Sequence, residues 1–230
     1  MNATHGLNIA LRSLVRPGGR VVLSGMEHNA VTRPLAALGA QIETADAPPF
    51  APERLLEGFA RALQQGADAA VCTHVSNVYG NVLPVSAVAA LCRERGVPLV
   101  IDASQSAGTL PVRLHGTGAA FIAMPGHKGL YGPQGTGLLL CGAAGEPLLQ
   151  GGTGSNSLDQ SMPDFLPDRH EAGTHNVCGI GGLLAGLRFV REQRPEELLA
   201  VERALTALAA RGLRQLPGVL HTHSQFSVYA

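Results

Sequence analysis

The sequence lacks net charge and long apolar runs. Its 17 Lys and Arg balance 17 Asp and Glu. A chain without net charge has no special attraction for phosphate backbones or anionic lipid, so neither nucleic acid nor a membrane is expected as a partner. No apolar run approaches the twenty or so residues that cross a bilayer, which excludes a membrane-spanning segment.

Closely spaced cysteines are also missing. The four cysteines, Cys72, Cys92, Cys141 and Cys178, lie far apart and form no C-x-x-C pair. This spacing argues against a disulfide scaffold, and no metal site is predicted. With no secretory signal recognised, a reducing, cytoplasmic location is expected.

What the sequence does contain is an alternation of apolar, β-prone runs with helical patterns. Hydrophobic residues make up 45% of the chain, which suits a globular core. The alternation predicts an α/β fold with a mostly parallel sheet flanked by helices and wound through right-handed crossovers. The predicted strands are 20–24, 41–45, 69–74, 98–102, 119–124 and 137–141. The predicted helices are 7–15, 31–38, 52–65, 85–95, 176–194 and 195–213.

Two further segments break this rhythm. Residues 151–175 are too long and too polar for an ordinary connection, so they are expected near a site or an interface. Residues 219–229 resemble a strand that begins a new unit. Since the chain starts on a helix and stops after this strand, both ends are expected to be cut from a longer protein.

Polar residues follow two of the apolar runs, in VIDASQSAG and MPGHKGLYGPQGTG. Because ligands of open parallel sheets bind beyond the carboxyl ends of the strands, Asp102, Gln105, His127 and Lys128 are expected to converge there. Taken singly, Asp102 also suits a helix cap or a metal ligand, and Lys128 suits a solvated surface position. Their combination at neighbouring strand ends favours a ligand site.

At this point the chain resembles the aminotransferase class V family of pyridoxal 5′-phosphate (PLP) enzymes, and within it the cysteine desulfurase-like branch. The resemblance implies a PLP-dependent fold type I large domain over residues 1–194 and the beginning of a small C-terminal domain over 195–230. It also implies a homodimer and an amino-acid substrate, L-cysteine. The matching segments are NATHGLNIAL, MEHNAVTRPL, HVSNVYGNVLPV, VIDASQSAGTLPV, GHKGLYGPQGTG, GGTGSNS and LPDRHEAGTHN.

The same resemblance implies roles around the cofactor ring. Lys128 would hold PLP through its deprotonated amine, and Asp102 would face the pyridine nitrogen and keep it protonated. Gln105 would donate to the phenolic oxygen, while His28 would stack over the ring and take part in proton transfer. Asn77 would contact the substrate carboxylate.

For the cofactor phosphate, the resemblance implies Thr4 with the backbone N–H groups of Thr4 and His5, where a helix dipole favours an anion. His127 would reach the same phosphate, and Thr174 would cross to the phosphate of a partner subunit. The family usually has a Ser or Thr hydroxyl two places before this histidine. Here that position is Pro125, which donates neither from a side chain nor from its backbone.

The implied activity is removal of sulfur from L-cysteine to give L-alanine, with sulfur transfer to a cysteine thiolate. The chain shows no counterpart of that sulfur-accepting cysteine or of the arginine that clamps the substrate carboxylate, and Cys178 is not expected to replace the thiolate. Two alternatives therefore stay open. One is a non-catalytic remnant that binds PLP or assists assembly, and the other is aminotransferase, lyase or racemase chemistry on another amino acid.

Overall fold

The structure, a computed structural model, describes residues 1–155 and 157–218. Within these residues six strands form one sheet, with helices packed against both of its faces. The predicted α/β fold is therefore confirmed. The strand expected at 219–229 lies outside the described residues.

Each predicted strand is present, with its ends shifted slightly. The strands are β1 (Arg20–Leu23), β2 (Gln41–Thr44), β3 (Ala69–Thr73), β4 (Leu99–Asp102), β5 (Phe121–Pro125) and β6 (Gly137–Cys141). They lie in the order β2-β1-β3-β4-β5-β6. The pairings from β2 to β5 are parallel, whereas β6 is antiparallel to β5. Five parallel strands therefore end at one edge of the sheet, next to the connection that leads into β6.

The helices also follow the predicted pattern, but the first begins earlier than expected. It starts at Ala3 and not at residue 7, because the Asn2 side chain caps it by accepting the His5 backbone N–H at 3.0 Å. The helices are α1 (Ala3–Leu14), α2 (Asn29–Ala37), α3 (Pro52–Ala62), α4 (Val85–Glu94), α5 (Leu114–Thr117), α6 (Val177–Gln193) and α7 (Pro195–Leu213). Short 3-10 turns lie at Leu63–Gln65 and Asp168–His170. None of the helices in the described ranges is both long enough and apolar enough to span a bilayer.

Alternate side chains of the strands build two hydrophobic cores. Val21 and Leu23 of β1 point to the face covered by α1 and α2, while Val22 between them points to the face covered by α3 and α4. Phe121 fills the first core and Phe59 the second, both with no exposed surface. Because strands buried on both faces have little freedom to shift register, the ends of the sheet are held firmly.

Candidate active site

One cavity of about 470 Å³ opens at the edge where the parallel strands end. Residues that follow β1, β3, β4 and β5 line it together with the start of α1, as expected for an open α/β sheet. Its lining includes every predicted ring and substrate residue: His28, Asn77, Asp102, Gln105 and Lys128. It also includes Thr4 and His127 of the predicted phosphate site.

Asp102 forms the buried floor of this cavity. It is the last residue of β4 and is only 3% exposed. Its backbone oxygen accepts the His74 N–H at 2.9 Å, and its Oδ1 accepts the Ser104 N–H at 2.9 Å. The carboxylate is therefore fixed in orientation through one oxygen, and Oδ2 is left for a ligand.

Lys128 reaches the same cavity because two loops cross at contact distance. A Cβ added to Gly108, whose φ is +94°, would lie 1.8 Å from the Gly129 carbonyl oxygen. Glycine is thus required where the turn after β4 meets the loop after β5. The latter loop is also closed on itself by a hydrogen bond from Tyr131 N–H to the Lys128 carbonyl oxygen at 2.9 Å. This crossing brings Lys128 and Asp102 to a single site.

Lys128 is also the only lysine in the 230-residue sequence, the other basic side chains being arginines. An arginine guanidinium stays protonated and cannot form the covalent bond to a carbonyl that a deprotonated lysine amine forms. The Lys128 side chain is exposed to the cavity, and it has no ion-pair partner among the described residues. The residue count alone would have singled this position out from the sequence.

His28 lines the cavity as the N-cap of α2. Its Nδ1 accepts the Ala30 backbone N–H at 3.1 Å. In the neutral imidazole the proton is therefore assigned to Nε2. The turn before His28 is held by Glu27, whose Oε1 accepts the Ser24 N–H at 3.1 Å. Burial raises the pKa of Glu27.

The predicted phosphate residues are only partly brought together. Thr4 lies in the first turn of α1 at the cavity, and His127 joins it from the loop after β5. His5 does not line this cavity: its N–H is taken by the Asn2 cap, and its side chain borders another cavity beside β6. Thr174 lies in an exposed segment outside the lining, and its role toward a partner subunit stays a prediction.

Sequence reasoning missed several residues of the lining. Asn2 is the N-cap of α1, and the preference of asparagine for this position could have predicted that the helix begins there. Ser104 fixes Asp102 through its backbone N–H, and an aspartate side chain that accepts the N–H two residues further on is a common turn pattern. Gln134 and Gly135, in the turn before β6, gave only a turn signal. None of residues 151–155 or 157–175 lines this cavity.

The cysteines do not supply a thiolate to the cavity. Burial raises the pKa of Cys92 to about 12 and also raises the pKa values of Cys72 and Cys141. Cys178 is exposed at the start of α6 but does not line the cavity. Since a thiolate is the reactive form, the raised pKa values leave these three thiols unreactive, and the buried Cys72 and Cys92 act as core residues.

Comparison of the sequence with models of protein families identifies the family to which the chain belongs. Residues 1–227 match the family model described as aminotransferase class-V. The chain belongs to this family. Its relatives are of the cysteine desulfurase-like branch, and the family is PLP-dependent. A probable cysteine desulfurase of Mycolicibacterium paratuberculosis is 32% identical over 215 residues, which cover 89% of this chain and 31% of the relative.

A second probable cysteine desulfurase, from Xylella fastidiosa, is 33% identical over 215 residues, covering 89% of this chain and 51% of the relative. The chain thus spans between about a third and about half of these relatives. Among solved structures, the cysteine desulfurase CsdA from Escherichia coli aligns with a TM-score of 0.85 at 25% identity. That alignment covers 99% of this chain and 60% of CsdA. A cysteine desulfurase from Thermococcus onnurineus NA1 aligns at 0.80 and 26% identity, covering 95% and 62%.

The side chains of the cavity fit PLP by their chemistry. A lysine amine suits its carbonyl group, a buried carboxylate suits its ring nitrogen, and the amide of Gln105 suits its phenolic oxygen. The hydroxyl and backbone N–H of Thr4 at the start of α1, and the imidazole of His127 in the loop after β5, suit its phosphate.

Proposed function

We propose that this chain is the PLP-binding part of a cysteine desulfurase, an enzyme that moves the sulfur of L-cysteine onto a thiol and releases L-alanine. The observation that carries this proposal is the meeting of the single lysine, Lys128, with the buried carboxylate of Asp102 in one cavity. PLP, when bound, supplies a ring that accepts electrons from the α-carbon of an amino acid.

In this proposal the floor of the cavity holds the cofactor. Lys128 binds it through Nζ. Asp102 keeps a proton on the ring nitrogen, since Ser104 leaves Oδ2 of the carboxylate available. Gln105 donates from its side-chain amide to the phenolic oxygen, which orients the ring.

In the same proposal, further residues of the cavity bind the substrate and transfer its protons. His28, which holds its neutral-state proton on Nε2, would donate and accept protons at that atom. Asn77, exposed in the loop after β3, binds the substrate carboxylate through its amide. Lys128 Nζ is the second group able to move a proton at the α-carbon.

The proposal is tested by adding PLP to the purified chain, recording the visible absorption, and then reducing with borohydride. We expect a yellow protein whose borohydride-fixed adduct maps by mass spectrometry to the peptide that contains Lys128. Lys128→Arg keeps the charge but cannot bind the cofactor covalently, so it should stay colourless and unlabelled.

A matched control asks whether the cavity, and not merely a lysine, is required. Arg95→Lys adds an exposed lysine away from the cavity. In the double variant Arg95→Lys, Lys128→Arg we expect no labelled side chain. Labelling of the new lysine, or a Lys128→Arg variant that absorbs like the parent, would contradict the proposal.

A second candidate is a PLP-binding domain without desulfurase activity of its own. It is favoured by the cavity lining, which contains neither a cysteine nor an arginine among the described residues. The two are separated by adding L-cysteine and dithiothreitol to the PLP-loaded chain. Alanine and sulfide release supports a desulfurase, whereas a loaded chain that forms neither supports the second candidate. Conversion of added pyruvate to alanine, with 3-mercaptopyruvate formed from cysteine and no sulfide released, would instead indicate transamination.

The proposal includes a homodimer with the domain division 1–194 and 195–230, in which Thr174 reaches the partner's phosphate. It is supported by an exposed apolar face on α6, where Val177, Ile180 and Leu184 are 73%, 53% and 48% exposed. Such a face favours burial against another chain. Light scattering is expected to give a dimer mass, with Ile180→Glu shifting it to a monomer.

The cytoplasm is proposed as the compartment of this protein because all four cysteines are free thiols.

A further inference from the structure

One end of the cavity forms where the start of α1 packs on the connection between β5 and β6. A Cβ added to Gly137 would lie 3.0 Å from the Ala3 backbone nitrogen and 3.0 Å from the Asn2 carbonyl carbon. Gly137 in turn pairs with Pro125 across the two strands. Asn2, Ala3 and Pro125 therefore line the same end of the cavity, and Gln134, three residues before Gly137, also lines the cavity.

This end is poor in the groups that ordinarily bind an anion. Ala3 and Pro125 have no side-chain donor, and Pro125 has no N–H. No arginine lines the cavity within the described residues, and Lys128, its single lysine, has the cofactor carbonyl as its partner in the proposed function. A phosphate here depends on donors other than lysine and arginine, and the first turn of α1 carries no acidic side chain to repel it.

Asn2 is one such donor, held in place by its capping bond. Its Oδ1 accepts the His5 N–H at 3.0 Å, which fixes the side chain at the entrance to α1. The two N–H groups on Nδ2 have no hydrogen-bond partner in the described parts of the chain. An amide held this way donates with little further loss of side-chain freedom.

Gln134 is the other donor, carried on a fixed turn. The Thr136 hydroxyl donates to the Pro133 carbonyl oxygen at 2.6 Å, and Thr136 is itself buried. Gly135 between them has φ +76°, a conformation that glycine tolerates. The Gln134 side chain is exposed to the cavity, and its amide has no partner among residues 1–155 and 157–218.

We propose that the carboxamides of Asn2 and Gln134 donate hydrogen bonds to the phosphate of bound PLP and take the place of the donor that Pro125 lacks. The inference rests on the proposed function. It assigns this end of the cavity to a phosphomonoester dianion held by two neutral amides beside Thr4 and His127. Amide donors suit such an oxyanion, since hydrogen bonds to charged groups are the stronger kind.

The test compares PLP with pyridoxal, which has the same ring and no phosphate. Binding of each is followed by visible absorption and borohydride fixation at Lys128 in the parent, Gln134→Ala and Asn2→Ser. Serine keeps the capping oxygen of α1 but loses the amide. Each variant should bind PLP about tenfold more weakly, the loss of one hydrogen bond to a charged group, while binding pyridoxal within about twofold of the parent.

A matched control is Gln64→Ala, which removes an exposed glutamine outside the cavity lining and should leave both affinities unchanged. If the parent prefers PLP over pyridoxal and both cavity variants keep that preference, the inference is wrong while the proposed function stands. If the variants weaken PLP and pyridoxal equally, they have altered the cavity and not a phosphate contact, which also overturns it. A parent that binds neither compound overturns the proposed function, and the inference falls with it.

Discussion

The sheet body, residues 1–141, and helix α7 differ in how their apolar side chains are used. In the body the large aromatic side chains of Phe59 and Phe121 are buried and have no exposed surface. In α7 no described side chain is buried, and Leu205 and Leu208 are 61% and 59% exposed. The body therefore carries its own stabilising core, whereas α7 offers an apolar surface to something outside the described chain.

This contrast also explains where the site lies. The ends of the parallel strands are held by buried neighbours on both faces, so the side chains that follow them have defined positions. Asp102, at the end of β4, is the clearest case, with its carboxylate oriented by a backbone N–H. A site built on α7 would have no such support within this chain.

The largest expected effect comes from opening the core of the body. Phe59→Ala should lower the free energy of unfolding by about 3–5 kcal/mol, because it removes a fully buried ring and leaves a cavity. Leu205→Ala in α7 should change it by less than about 0.5 kcal/mol, since that side chain is mostly exposed. Urea unfolding followed by circular dichroism measures both. Equal losses in the two variants would mean that α7 is buried in solution and that the contrast is wrong.

Acid should destabilise the body through His74. Burial lowers the pKa of His74 from 6.5 to about 4, so the native state favours the neutral imidazole. Its contribution to stability is therefore present above pH 6.5 and is lost as the pH falls through about 4, a change of roughly 3 kcal/mol.

His74→Leu should remove this component of the pH dependence, measured by urea unfolding at pH 7 and pH 4. His115→Leu, at an exposed position, is the control and should leave the difference between the two pH values as in the parent. If His74→Leu and the parent lose the same stability between pH 7 and pH 4, His74 is not the group responsible.

A substitution where the two site loops cross should cause a smaller loss of stability but abolish cofactor binding. Gly108→Ala places a Cβ 1.8 Å from the Gly129 carbonyl oxygen at a φ of +94°. The strain should cost about 1–3 kcal/mol and separate Lys128 from Asp102. We expect a folded protein that no longer gives a yellow PLP adduct. A Gly108→Ala variant with normal PLP binding would show that the crossing does not position the lysine.

The same contrast separates what the sequence predicts from what it does not. The strands and the positions of Asp102 and Lys128 were predictable because apolar runs end abruptly at polar motifs, and parallel strand ends share an edge. The start of α1 was predicted too late, because Asn2 caps residues that carry little apolar signal of their own. The exposure of α7 was not predictable, since a helical pattern does not say whether a partner for its apolar face lies within the chain.

The smallest expected effect tests whether α7 is coupled to the body at all. Gly212 lies in α7 with no atom within 4 Å of an added Cβ, so Gly212→Ala should favour the helix by up to about 1 kcal/mol through backbone entropy alone. If α7 unfolds independently of the body, the gain appears as slower amide exchange within 195–213 while the urea midpoint of the body stays the same. If instead the midpoint rises with the exchange protection, α7 and the body unfold as one unit. In that case α7 is coupled to the body, and the contrast between the two regions is wrong.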